Sequence, residues 1–599
     1  MDIYELISEM GVSKRSYHLD YFPQSFHKLN RDKLVDSFDL NVFDLFERAY
    51  RIQIIYRHDQ IENEQNNEYI KYGGEDVTPF TDDELKIFRS LDWKRLPKNL
   101  KAHIYDVIWL CNKNYKAAKI AAEEYYESYI EWFHEEYWVT CVDYINRAIQ
   151  LSVKIRDKVK EEEFLDRVYN DVVTLNGNDS SFLSIKLLEL LVMRNYNYDF
   201  DTMILLTEKL ICKNKGSIST SKELEQAYHI KAEIHKKQNG QASENKVYIE
   251  YADYLMQEAN KLVEETGDKS SNDNRDWFIA EENIKRAIEL FRNHGAQEKD
   301  KNALRCLVEF QREKKKYMKM HEFKFDASGL YKKFSDAYEG HSVEELIWDV
   351  VFAFEFQRKK DIRNDIVDNH SLSDMFPTQL MDSDGQTEFL LQPLNLKDEN
   401  NILLHMYNKA KQNESIQGQT IGCWFINYFI KKDLQETDLD MIFKNNPIIP
   451  NGQEKDIQRG VYLGLIGHMS DSLDKLAPKA ENLIRNLAEM CGDLMTYYNP
   501  NEGVQQKKVL SQVFLGENLN ECVDENIIFT FDGLMQQKAG SNIRNRIGHG
   551  LNLEKEYYTG DCIYFVMIIL KLCAMFCRGY LDEKNKRINA YIENKKTNI

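Results

Sequence analysis

Between Pro97 and Pro377 the chain carries no proline, so no position in that long stretch forbids the backbone hydrogen bonding of continuous helix. From about Leu96 apolar residues recur at helical spacing, first as Ala102, Tyr105, Val107, Ile108 and Trp109. Ala117, Ala118, Ala121, Ala122 and Tyr125 then form a second stripe, whose small side chains let neighbouring helices approach closely. The expectation is an all-α protein.

At 599 residues the chain is too long for one ordinary core. Trp277, Ala280, Ile284, Ala287, Ile288 and Phe291 mark one face of a helix that starts after the polar stretch Glu264 to Asp276 and stops near Gly295. That pattern resembles the helices of tetratricopeptide-like hairpins, although no regular period of about 34 residues emerges. An irregular helical-hairpin array is therefore expected over residues 96–370, preceded by an N-terminal cap region, 1–95, with loops at Tyr72-Gly73-Gly74 and Thr78-Pro79. The array offers a concave surface for a regulatory protein; core packing is the plainer reading of the same stripes.

Pro377, Asp382-Ser383-Asp384-Gly385 and Pro393 break the texture, which places a connector with intermediate helices over residues 371–455. The Asp-Ser-Asp-Gly piece is no calcium loop, because the first-ligand and closing-glutamate positions fall on Leu380 and Leu391. A last domain is expected over residues 456–599, after Pro450-Asn451-Gly452. Within it Leu473, Leu476, Ala480, Leu483, Leu487 and Met490 form one apolar seam, with Pro478 either kinking that helix or marking its start.

A formal charge of −19 argues against nonspecific binding to duplex DNA or anionic membranes, but leaves room for one local basic cleft. The ten cysteines show no CxxC pair and no zinc-ligand spacing, which fits a reducing cytoplasm. No basic segment followed by an apolar run opens the chain, so no secretory signal is expected. The run from Cys562 to Cys577, interrupted by Lys571, falls short of the about 20 apolar residues of a membrane span and reads as a buried helix. No GxxxxGK[ST], HExxH or GxSxG motif is present, and no cofactor or metal is expected.

Chemistry is concentrated in Asn542-Ile543-Arg544-Asn545-Arg546-Ile547-Gly548-His549-Gly550. An Arg followed after four to six residues by a His occurs at Arg51–His58, Arg363–His370 and Arg544–His549, against roughly 1.7 expected by chance. Only the third copy adds Asn after the Arg and Gly after the His. The fuller Arg-Asn-x-x-x-His-Gly pattern resembles the C-terminal HEPN-like domain family of bacterial proteins, within the HEPN ribonuclease superfamily. The segment from Leu476 to Arg485, with Glu481 and Arg485 one helical turn apart, is similar to the helix preceding the motif in that family.

The resemblance implies a C-terminal helical bundle that homodimerises, bringing two motifs together as one ribonuclease site. It implies RNA, tRNA among the candidates, as substrate, and a regulated toxin or antiphage role. The implied cleavage is metal-independent attack of the 2′-hydroxyl on the adjacent phosphorus, leaving a 2′,3′-cyclic phosphate and a 5′-hydroxyl. His549 suits either proton transfer, since imidazole titrates near about 6.5 in water. Arg544 supplies a planar fork for phosphate oxygens, and Asn545 orients a partner or bonds the phosphate. Arg546, Glu481 and Arg485 are candidate substrate-binding or supporting groups, and Lys507, Lys508 and Lys555 candidate cleft cations.

On a straight helix Arg544 and His549 stand about 140° apart while Asn545 and His549 share a face. Gly548 and Gly550 suggest a helix break that brings His549 toward Arg544. The competing readings are that Arg544 and His549 merely cap a helix, and that the whole chain is a noncatalytic helical scaffold or RNA-binding protein whose C-terminal bundle dimerises.

Overall fold

The computed structural model describes residues 1–9, 26, 28–54, 69–71, 78–180, 182–194, 199–216, 221–267, 275–317, 326–382, 384–499 and 503–597. The loop expected at Tyr72-Gly73-Gly74, His58 of the first Arg–His pair and most of the polar stretch before Trp277 lie outside those residues. The fold is an all-α array with a few two-stranded hairpins, in two compact units, Met1–Leu307 and Val308–Ile599.

In the first unit, helices α1 (Lys98–Asn112), α2 (Tyr115–Trp132) and α3 (Trp138–Lys154) pack in succession. The turn between the first two is short because Lys113 adopts φ 52° and the Asn114 side chain caps the backbone N–H groups of Lys116 and Ala117. The alanine stripe of α2 is buried, as its spacing predicts. Buried Arg147 on α3 grips Asp106 on α1 through two bonds, of 2.7 and 2.8 Å, so both charges leave water together. Further on, Trp277, Ala280, Ile284, Ala287, Ile288 and Phe291 are all buried along one helix, Arg275–Asn293.

The expected segment limits need revision at both ends of the array. The region 1–95 shares the array's core: Tyr50 stacks on His103 of α1 at 4.7 Å, and burial pulls the His103 imidazole down to about 4. At the other end, α4 (Val343–Ala353) buries Leu346, Val350 and Val351 in the core of the second unit. So does the region called a connector: α5 (Glu399–Gln417) runs through a π-turn, Gly418–Gly422, into Cys423–Lys431, which buries Phe425 and Phe429 there. No packing boundary falls at residue 456, because these earlier helices cover the same apolar faces as the later ones.

The stretch read as loop also contains strands. Thr378–Met381 pairs antiparallel with Thr387–Leu391, and Asp382 closes the turn by accepting from the N–H groups of Asp384 and Gln386 at 2.9 and 2.8 Å. The Asp-Ser-Asp-Gly piece is thus a hairpin turn, with Ser383 outside the described residues. Two further hairpins, Ile52–Ile54 with Tyr69–Lys71 and Thr496–Asn499 with Val504–Lys507, were not anticipated. All three are too short to show a period-2 pattern in sequence.

The second unit is organised around α6 (Met469–Met490), α7 (Ile543–Gly548) and α8 (Gly560–Met575). Every residue of α8 from Gly560 to Ala574 is buried, as its all-round apolar sequence requires. Asp561 and Lys571 are its charged residues, and the Lys571 Nζ donates to the carbonyls of Val351 and Phe354 at 3.0 and 2.5 Å, capping the end of α4, while burial lowers it to about 8. Among the described residues no single helix is long and apolar enough to cross a membrane, and α8 turns by 101° into the helix that follows.

Helix α8 begins against the end of α5, where a Cβ on Gly418, just after α5, would overlap the Gly560 backbone and a Cβ on Gly560 would overlap the backbone of Ser415 on α5. Gly560→Ala should therefore lower the stability of this unit by about 2–3 kcal/mol, whereas Gly548→Ala, with open space around it, should change it by less than about 1 kcal/mol. Urea midpoints of the two variants check this; equal midpoints contradict the close approach.

Candidate functional site

Helix α6 buries Leu473, Leu476, Ala480, Leu483 and Leu487, while Met490 at its end is half-exposed. The helix begins at Met469, so Pro478 lies inside it rather than at its start. On the flank of this seam Asp474, Pro478 and Glu481 follow one another at helical spacing and face the motif helix α7.

Helix α7 is only six residues long and is held at both ends. At its start Asn542 takes φ 49°, and the preceding Ser541 donates to Glu414 on α5 at 2.8 Å. At its end Gly550, with φ 64°, donates to Ile547 and Leu551 donates to Arg546, both at 2.9 Å. This is a Schellman turn, which needs a residue tolerant of the left-handed region at Gly550. The expected glycine break is present, one residue after His549, while Gly548 is simply the last helical residue. His549 occupies the C-cap, is exposed, and has no hydrogen-bonding side-chain partner among the described residues.

Arg544 reaches back to α6. Its Nε donates to Glu481 Oε2 at 2.8 Å, its Nη2 approaches the same oxygen at 2.6 Å, and its Nη1 donates to Asn545 Oδ1 at 2.9 Å. Glu481, 7% exposed, receives Arg485 on its other oxygen. Arg485 Nη2 is further held by the Lys508 carbonyl at 2.9 Å, and Asn545 Nδ2 by Asn542 Oδ1 at 2.8 Å. One carboxylate thus sits between two guanidinium groups, leaving a net positive charge on a strongly acidic chain.

Arg544 and His549 line the same open groove, of about 600 Å³, with Asp474, Glu481 and Tyr557. Asn545 does not line it; its amide braces Arg544 and borders a neighbouring depression with Arg485. The expected swing of His549 by a glycine break is therefore replaced by a different cause: the break falls after the histidine, and Arg544 shares its groove because Glu481 draws the long Arg544 side chain to that side. Arg546 turns to Glu556, 3.5 Å away, and borders neither space. Lys507 and Lys555 are exposed, and Lys508 contributes its carbonyl.

Sequence reasoning missed Asp474 and Tyr557, whose hydroxyl donates to Asp474 at 3.1 Å; burial and this bond push the phenol up. The position of Asp474, seven before Glu481 on one helical face, was the available signal. Of the two other Arg–His spacings, the second forms no comparable arrangement, since Arg363 pairs with Glu399 at 2.7 Å while His370 meets a carbonyl of the helix it follows; in the first, whose His58 lies outside the described residues, Arg51 lies 3.6 Å from Glu47.

Residues 77–163 match the family described as Domain of unknown function (DUF7380), a match confined to the first unit and apart from the motif. No curated protein and no solved structure matches the chain.

The anchor under α7 is a buried acid. Burial, and secondarily Asp561, push Glu414 from 4.5 up to about 8, against the Ser541 bond and Lys411. A raised folded pKa stabilises below the unfolded value, so stability should fall as pH rises from about 4.5 through about 8. Glu414→Gln should flatten that fall, as read from urea midpoints across the range; an unchanged slope contradicts the assignment.

Proposed function

We propose that the chain is a metal-independent RNA endonuclease of the HEPN type. The observation that carries this reading is the shared groove: an Arg544 fork held by Glu481 stands beside an unengaged His549 imidazole. In the reaction the 2′-oxygen bonds to phosphorus as the bond to the 5′-oxygen breaks. The 2′-hydroxyl loses its proton to a base and the leaving 5′-oxygen gains one from an acid. His549 makes one transfer in each chain of a dimer, Arg544 neutralises the developing charge on the phosphoryl oxygens, and Asn545 keeps Arg544 in place.

A homodimer through this face supplies the second His549. Leu551, Leu553 and Tyr558, at 54%, 47% and 46% exposure, flank the motif as apolar ground for such contact. The helical array of the first unit is the seat of a regulatory partner, and a toxin or antiphage effector cutting tRNA in the cytoplasm is the biological setting that the motif's resemblance suggests. The ten cysteines, none in a disulfide, accord with that compartment. A noncatalytic scaffold is the second reading, favoured by the engagement of Arg544 by Glu481 and Asn545, which a purely structural arginine would also show.

Incubation with total tRNA in EDTA separates the two. Cleavage should persist under chelation and fall at least about 100-fold in His549→Ala and in Arg544→Ala, both folded by thermal melt. Metal-dependent cutting, or equal rates in wild type and variants, contradicts the nuclease reading.

A further inference from the structure

Helix α6 is capped at its C-terminus by Cys491, and the short helix Glu517–Cys522 ends on Cys522 in the same corner of the second unit. Asp493 ties the two ends together. Its carboxylate accepts from the Asn518 and Leu519 backbone N–H groups at 3.3 and 2.9 Å, and from the Asn518 side-chain amide at 3.1 Å. Gly516 packs so closely on this carboxylate that a Cβ there would overlap it. In that corner the Cys491 and Cys522 thiols share a hydrogen bond.

Access divides the labour between them. Cys522 is exposed, whereas Cys491 is half-buried against the core, so a small oxidant meets Cys522 first. Burial, and after it the neighbouring Cys522 and Asp493, push the Cys491 thiol up, which keeps it protonated and unreactive until its neighbour is oxidised. Cys573 and Cys577, near the end of α8, are also neighbours, but Cys573 is wholly buried and closed to a solute.

We propose that Cys491 and Cys522 form a reversible oxidation site, closed to a disulfide by hydrogen peroxide and reopened by a dithiol. The Cys522 sulfur attacks one peroxide oxygen as the thiolate: an S–O bond forms, the O–O bond breaks, and the leaving hydroxide takes up the displaced thiol proton as water. The Cys491 sulfur then attacks the sulfenic sulfur, so that the S–S bond forms, the S–O bond breaks, and a second water leaves with the Cys491 proton. The two thiols together give up two electrons and the peroxide takes them. The bond joins the ends of residues 492–521, the segment that carries the hairpin Thr496–Asn499 with Val504–Lys507 and the Lys508 carbonyl on Arg485. Closing a loop of about 30 residues restricts the unfolded chain, so oxidation clamps this segment. The site stands independently of the nuclease reading.

The test treats the reduced full chain with stoichiometric hydrogen peroxide and follows it by thiol titration and tryptic mapping. Two of the ten thiols should disappear at least about tenfold faster than the rest. They should leave one cross-linked peptide pair, 486–507 with 509–538, that dithiothreitol separates. The oxidised chain should show a urea midpoint about 0.5–1 M above that of the reduced chain. Cys522→Ser should abolish both the cross-link and the rise, and its exposure keeps the test open if Cys491→Ala misfolds. Faster oxidation of other cysteines, a sulfinic acid at Cys522 without a cross-link, or bonds between chains instead of within one overturns the site. A cross-link that leaves the midpoint where it was overturns the clamp.

Discussion

Glu481 is the carboxylate on which the site depends. It lies almost out of solvent between Arg544 and Arg485, and each guanidinium takes one of its oxygens. Two cations this close would repel in a medium of lowered dielectric, so the shared anion is what allows both to stay. The trio still carries one net positive charge. That charge is fixed in direction by hydrogen bonds from three elements: α6, α7 and the strand end that offers the Lys508 carbonyl. In the proposed nuclease, a phosphate arriving there would meet a preorganised fork instead of a mobile side chain.

Holding Arg544 requires holding α7, and six residues do not make a stable helix alone. The support comes from packing elsewhere. The wholly buried α8, which begins against the end of α5 at Gly418 and Gly560, gives the unit a dense centre. From α5, Glu414 reaches Ser541 at the entry to α7, and the turn at Gly550 closes its exit. His549 falls between the ordered helix and that turn, where its ring is accessible while its backbone is fixed.

Much of this was legible in the chain. The absence of proline and the alanine and leucine stripes announce helices, and the long apolar run with a single lysine announces a buried one. The motif's special residues mark the turn at Gly550, and the one-turn spacing of Glu481 and Arg485 marks their pairing. Other parts were hidden for physical reasons. Short hairpins carry no usable period, and a helix such as Val343–Ala353 gives no sign in sequence of which core it joins. Which groove a side chain lines depends on partners far along the chain: Glu481, 63 residues before Arg544, decides that Arg544 and not Asn545 faces His549's groove.

The central claim is that the ribose 2′-hydroxyl is the nucleophile, with Arg544 and His549 serving the phosphoryl transfer. A substrate carrying a single 2′-deoxynucleotide immediately 5′ of a mapped cut tests it most directly. The account predicts that cutting stops at that bond alone, while the all-ribose strand yields 2′,3′-cyclic phosphate and 5′-hydroxyl ends. Undiminished cutting of the deoxy bond, or 5′-phosphate ends from the ribose strand, would contradict it.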